Sequence, residues 1–199
     1  MAVIEASTPG SQKQSDASAR QRLIAAAARL FCRHGINAVG VDAVVAEAGT
    51  AKATLYKAFG SKERLVEAVL EQEGRRWRNW FLSGLDAGEA LPVERLRRIF
   101  PLLEDWFSQE HFYGCPFINA VGEHDKSDDR MRRLTLEHKQ TVLARIEDLA
   151  AQAGAQDPRR LSHQLCILMD GAIVVAMISR DPAAARLAAE AAERILRDL

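Results

Sequence analysis

Gly49 is the residue that most limits what this chain can fold into. It separates two short stretches of helical periodicity. Upstream, Val41, Val44, Val45 and Ala48 recur at helical spacing and give one apolar face. Downstream, from Ala51 to Phe59, Leu55 and Phe59 share one side of a second stretch. Glycine enters the left-handed backbone region at little cost, so Gly49 can stop the first helix and turn the chain. Thr50 then offers a hydroxyl to cap the second helix. Gly60 and Ser61 close it, and Ser61 is placed to cap the next helix. Two short helices joined by a glycine turn form the helix-turn-helix pattern, whose second helix enters the major groove of DNA. Helix-Gly-helix pairs also occur in ordinary bundles, so spacing alone leaves both readings open.

The rest of the chain reads as helical. Six Pro and twelve Gly in 199 residues leave long stretches rich in Ala, Leu, Arg and Glu. The formal net charge is zero, but it is unevenly spread. Residues 1–62 carry eight Lys and Arg against four Asp and Glu, and the remainder is acidic. A basic front and an acidic back fit a nucleic-acid module followed by a sensing or dimerisation domain. Cys32, Cys115 and Cys166 are widely separated, which argues against a disulfide framework or a zinc knot. No leader peptide is read at the start, and the apolar run Leu165 to Ile178 is broken by Asp170. A reducing, cytoplasmic setting without a membrane is expected.

Residues 1–17 are polar and are expected to form a disordered arm. A first helix is expected from Ser18 to His34, with Leu23, Ala27, Leu30 and Phe31 as its stripe and Gly35 as its stop. Before the next helix stands Val39-Gly40, so Asp42 is the nearest cap. On DNA, the Asp42 carboxylate could instead accept from a cytosine amino group. A long helix from Lys62 towards Gly84 leaves the first domain and enters the second, as a lever would. Arg75, Arg76 and Arg78 are read as its solvated face.

The residues from Ala48 to Leu65 carry a resemblance. Ala48, Gly49, Thr54, Leu55, Tyr56, Phe59, Ser61, Lys62, Glu63 and Leu65 match the recognition-helix pattern of the TetR family of ligand-responsive transcriptional regulators. Thr50, Ala51, Ala53 and Ala58 depart from it. The resemblance covers residues 20–66 closely and the remainder diffusely. It implies an all-α chain of about nine helices: a three-helix helix-turn-helix domain at 18–64, then an effector-binding and dimerisation domain at 65–199. It also implies roles. Lys52 and Ala53 would face bases. Thr54, Tyr56 and Lys62 would bind phosphates, Lys57 could do either, and Asp42 belongs to the same DNA-facing set.

In the second domain, Pro92 suits a helix start and Pro101 a kink in a helix running to Gln109. The segment from His111 to Ala120 interrupts the helices, and its Gly-Cys-Pro-Phe run is similar to one in many TetR-like chains. An effector pocket is expected there. Trp106, Phe107, Phe112, Tyr113 and Phe117 would supply aromatic lining, and His111, Asn119, Glu123 and Asp170 polar groups. Cys115 could sense electrophiles if a helix N-terminus favours its thiolate, or be an inert buried thiol. No spacing supports a metal site among His111, Cys115, Glu123, His124 and Asp125, and no cofactor is expected. Helices are also expected at 128–153, 158–179 and 181–199. The run Leu165 to Ile178 is apolar nearly all round and needs cover on every side. Pairing of the two C-terminal helices, about 158–199, with those of a second copy would give it.

No phosphate loop, nucleophile elbow or zinc-protease motif points to an enzyme. The reading is a homodimeric repressor, released from a palindromic operator in double-stranded DNA by a small-molecule effector. The alternatives are an all-helical interaction module that binds no DNA, and a redox-sensing regulator acting through Cys115.

Overall fold

A computed structural model describes residues 9–125, 129–197 and 199. Among them are ten helices and no strand. The chain divides into two compact units, one ending at Glu73 and one starting at Gly74. The division therefore falls inside a helix and later than the 64/65 boundary expected from sequence. The first half of that helix buries Leu65, Val66, Val69 and Leu70, so it belongs with the N-terminal core.

In the N-terminal unit, α1 is Pro9–His34, α2 Val41–Glu47 and α3 Lys52–Phe59, and α4, Lys62–Leu85, begins there. Residues 1–8 of the expected arm lie outside the described residues. Residues 9–17 fall within α1. Pro9 has a backbone preset for a first helical turn, and Gln, Lys and Ala continue a helix at low cost. Leu23, Ile24, Ala26, Ala27 and Phe31 form the buried face of α1, which packs against α2 and α3. Its arginines tie the unit together. Arg22 Nε donates to the carbonyl of Ala48 at 3.3 Å, Arg29 grips Glu47 at 2.8 Å, and Arg20 lies over the Phe59 ring.

The glycine turn has the expected geometry and an unexpected cap. Gly49 sits at φ +58°. Its N–H donates to the carbonyl of Ala46, and the Thr50 N–H donates to that of Val45. These two bonds satisfy the end of α2 in a Schellman arrangement. Thr50 thus closes the helix before it and does not cap the one after it. Ala51 is the N-cap of α3 and contributes no side-chain bond. Ser61 Oγ does cap α4, accepting from the Arg64 N–H at 3.3 Å.

The C-terminal unit holds the rest of α4, then α5 (Pro92–Arg97), α6 (Ile99–Phe107), α7 (Pro116–Glu123), α8 (Arg130–Gln152), α9 (Pro158–Ser179) and α10 (Ala183–Leu196). The single helix expected from Pro92 to Gln109 is two helices that part at Arg98. Pro101 has no N–H for the Arg97 carbonyl, so the ladder breaks one turn before the proline. α9 packs against α6, α8 and α10. Asp157 caps it by accepting from the Arg160 N–H at 2.9 Å, with Pro158 in the first turn. By length and hydropathy α9 could cross a membrane, but Leu165, Met169, Ile173 and Ala176 are buried in the helical core.

Two glycines are set by packing. A Cβ on Gly74 would lie 2.7 Å from the Phe117 ring, and one on Gly114 (φ +88°) would collide with Met177. Phe117 in turn stacks on His138, with ring centroids 4.0 Å apart. His138 is 6% exposed. Burial, with the positive charges of Arg78 and Lys139, lowers its pKa from 6.5 to about 3. The folded state therefore holds a neutral imidazole, while the unfolded chain takes up a proton as pH falls below about 6.5. The stability contributed by His138 is complete above that pH and is lost as pH falls towards 3. Urea unfolding of wild type and His138→Phe should thus diverge with pH. The wild-type stability should fall relative to the variant between pH 6.5 and 4, by up to about 1.4 kcal/mol per pH unit. A difference independent of pH would mean that the ring is not buried as the neutral form.

Candidate nucleic-acid interface and ligand region

The eight residues of α3 divide cleanly. Leu55 and Phe59 are buried, while Lys52, Ala53, Tyr56, Lys57 and Ala58 are exposed and Thr54 is half-buried. Tyr56 is 45% exposed although it is aromatic. A hydroxyl-bearing ring and two lysines on the outer face of a short helix are groups that bind phosphate oxygens and base edges. The arrangement therefore gathers Lys52, Ala53, Thr54, Tyr56 and Lys57 on or beside one surface.

Asp42 and Lys62 stand differently from expectation. Asp42 does not cap α2, whose N-cap is Gly40 without a side-chain bond. Its carboxylate instead pairs with Lys52 Nζ at 2.9 Å. The hydrogen bond to Asp42, and then its charge, raise the Lys52 pKa. The lysine nearest the start of α3 thus carries its own counter-charge from α2. Lys62 Nζ donates to the carbonyl of Ile36 at 2.6 Å and lies 6.0 Å from the centre of the Phe31 ring. It fastens α4 to the turn after α1 with one of its three N–H donors.

The aromatic segment of the C-terminal unit is only partly a lining. Trp106, Phe107 and Phe112 form one ring cluster, with centroids 4.9–5.8 Å apart. His111 and Tyr113 are exposed and do not join it. The Asn119 side-chain amide donates to the carbonyl of Tyr113 at 3.1 Å and holds the loop before α7. Glu123 is half-buried in the last turn of α7. Asp170 is ion-paired with Lys139. Cys115 is the N-cap of α7 and is buried. Burial raises its pKa, outweighing the nearby Lys139 charge and the helix N–H groups. That thiol stays protonated, contrary to what an electrophile sensor needs. Burial likewise pushes Cys166 up to about 11. Among the described residues no three His, Cys, Asp or Glu side chains gather as metal ligands.

A second cluster has little signature in the sequence. Trp77 stacks on Phe81 at 4.7 Å and meets Trp80, Trp106 and His138 edge-on or tilted. The Trp77 indole N–H is buried without a hydrogen-bond partner. Arg78, expected on a solvated face, is half-buried and donates to His138 Nδ1 at 2.8 Å. The available hint is the i, i+4 pair Trp77 and Phe81, with a lone histidine on the apolar stripe of α8.

The same two-unit arrangement is found among known proteins. Residues 23–69 match the family described as bacterial regulatory proteins, tetR family. Residues 92–192 match the tetracyclin repressor-like C-terminal domain. A solved TetR-family transcriptional regulator from Streptomyces coelicolor is 32% identical, with a TM-score of 0.83, covering 92% of this chain and 96% of that one. A putative TetR-type regulator from Streptomyces avermitilis is 30% identical with a TM-score of 0.74, covering 88% and 98%. An uncharacterised HTH-type transcriptional regulator of Mycobacterium tuberculosis is 34% identical over 101 residues, 45% of this chain. The chain spans about half the length of the curated relatives it matches, 49%. With both its helix-turn-helix unit and its C-terminal helical domain matched, the chain belongs to the TetR family of DNA-binding transcriptional regulators.

Proposed function

We propose that the chain acts in the cytoplasm as a homodimeric repressor that binds a palindromic operator and leaves it when a small molecule enters the C-terminal unit. The observation that carries this reading is the outer face of α3, where Lys52, Ala53, Tyr56 and Lys57 stand exposed over buried Leu55 and Phe59. Dimerisation is supported by α9. Ile167, Gly171, Val175 and Ile178 recur along one side of it and are exposed, with Ile167 at 70% and Ile178 at 74%. Leu187 of α10 is exposed too. A row of large apolar side chains on two helices marks a surface made for another protein, and a second copy would close it into a four-helix interface. Such a dimer presents two α3 helices to half-sites about one DNA turn apart.

The Asp42–Lys52 pair gives the DNA test a direction. If α3 reads DNA, Asp42→Asn frees a cation on the reading face. Affinity for random duplex should rise, and the slope of log K against log salt should steepen by about one. Lys52→Ala should change which operator variants are preferred, whereas Tyr56→Phe with Lys57→Ala should weaken all sequences and flatten the slope. Fluorescence anisotropy over a salt series, on upstream intergenic DNA and random duplex, measures each. Wild-type behaviour from all three proteins would remove α3 from the interface.

The dimer is tested on α9. Ile167→Asp with Ile178→Asp should give monomers in sedimentation and weaken operator binding by at least about tenfold, since the linkage of two half-site contacts is lost. A dimer that persists in this double variant would move the interface elsewhere.

A further inference from the structure

We propose that the C-terminal unit takes a small aromatic carboxylate, held by Arg78 and the Trp77 indole N–H among the rings of Trp106, Phe117 and His138. The inference deepens the effector part of the function proposed above by naming the chemistry of the ligand.

Two donors in this cluster lack adequate acceptors. The buried Trp77 Nε1 has none. An orphaned buried donor calls for an explanation, and a ligand acceptor is one. Arg78 has five N–H groups, yet its described partner is one nitrogen of a neutral imidazole. Three other half-buried arginines of the same unit reach carboxylates, Arg95 and Arg145 at Asp86 and Arg97 at Glu94 and Glu193, while half-buried Arg98 donates to the carbonyls of Leu85 and Ala87. The cation next along, Lys139, is already neutralised by Asp170. Among the described residues, Arg78 therefore has no counter-charge.

The two donors belong to one place because both meet His138. Arg78 bonds its Nδ1, and the Trp77 ring lies 5.7 Å from its centre at 58°. Phe117 stacks on the same imidazole at 12°. Trp106 approaches Trp77 at 5.4 Å and 60°. A flat aromatic guest would extend the same stacked and tilted ring contacts. The guanidinium fork matches the two oxygens of a carboxylate, and the indole N–H adds a third donor. A cationic guest would meet Arg78 with like charge. A neutral one would satisfy the indole and leave the guanidinium unmatched.

All three tryptophans stand in or beside this cluster, so emission of the intact protein reads it directly. 3-Phenylpropionate and benzoate should change that emission saturably. The amide of 3-phenylpropionate and the aliphatic hexanoate should bind at least about tenfold more weakly. Arg78→Gln should weaken the carboxylate at least about tenfold, and Trp77→Phe, which keeps a ring and removes the N–H, about threefold or more. Near-wild-type urea midpoints would show that both variants remain folded, and Arg78→Lys, which keeps the charge, should retain part of the affinity. Equal binding of acid and amide, unchanged affinity in Arg78→Gln, or no saturable change up to about 10 mM would overturn the proposal. Release of bound promoter DNA is read separately. Saturable carboxylate binding without release upholds the site and rejects effector control. DNA binding without any carboxylate binding rejects the site and upholds the DNA-binding role.

Discussion

The outer face of α3 depends on the burial of two side chains. α3 has eight residues, too few to persist as an isolated helix in water. Its outer face exists because Leu55 is fully buried and Phe59 nearly so. Each such burial contributes roughly 1.5–3 kcal/mol. The Asp42–Lys52 ion pair lies in solvent, where water and salt screen it, and it adds little to the fold. Packing therefore places the helix, and leaves the Lys52 and Lys57 side chains on its outer surface. The Gly49 turn completes the arrangement. By satisfying the end of α2 within the backbone, it fixes where α3 starts without needing a side-chain cap.

This dependence on packing explains which features are legible in the sequence. Apolar spacing at Val44, Val45, Leu55 and Phe59 and a glycine between them are local patterns, and the structure keeps them. Asp157-Pro158 acts through the nearest turn, so its effect sits where sequence places it, whereas Pro101 parts two helices one turn before itself instead of kinking one. The side-chain bonds are less legible. Thr50, Asp42 and Lys62 each have a polar group that several neighbours could use, and tertiary packing chooses among them. Lys62 finds the Ile36 carbonyl, which lies 26 residues earlier. Nothing in a local window announces that partner.

The C-terminal unit shows the same limit more strongly. The His111–Ala120 segment stands out by composition, yet His111 and Tyr113 are exposed and Asn119 braces the loop. The groups that converge come from α4, α6, α7 and α8: Trp77 and Arg78, Trp106, Phe117 and His138. Arg78 reads as one of a solvated run because its sequence neighbours are also arginines. Only the packing of α4 beside α8 sets it apart. Cys115 illustrates a competition between two effects, in which loss of solvent outweighs the attraction of a helix N-terminus for a thiolate.

Trp77, Trp80 and Trp106 are the three tryptophans of the chain, and none belongs to the unit ending at Glu73. α3 is therefore dark in tryptophan emission, with Tyr56 as its aromatic residue on the exposed face. DNA added to this protein touches no indole of the helix-turn-helix unit. If the emission nevertheless changes, the disturbance has reached the other unit, and the size of the change becomes an optical measure of the coupling between the two units.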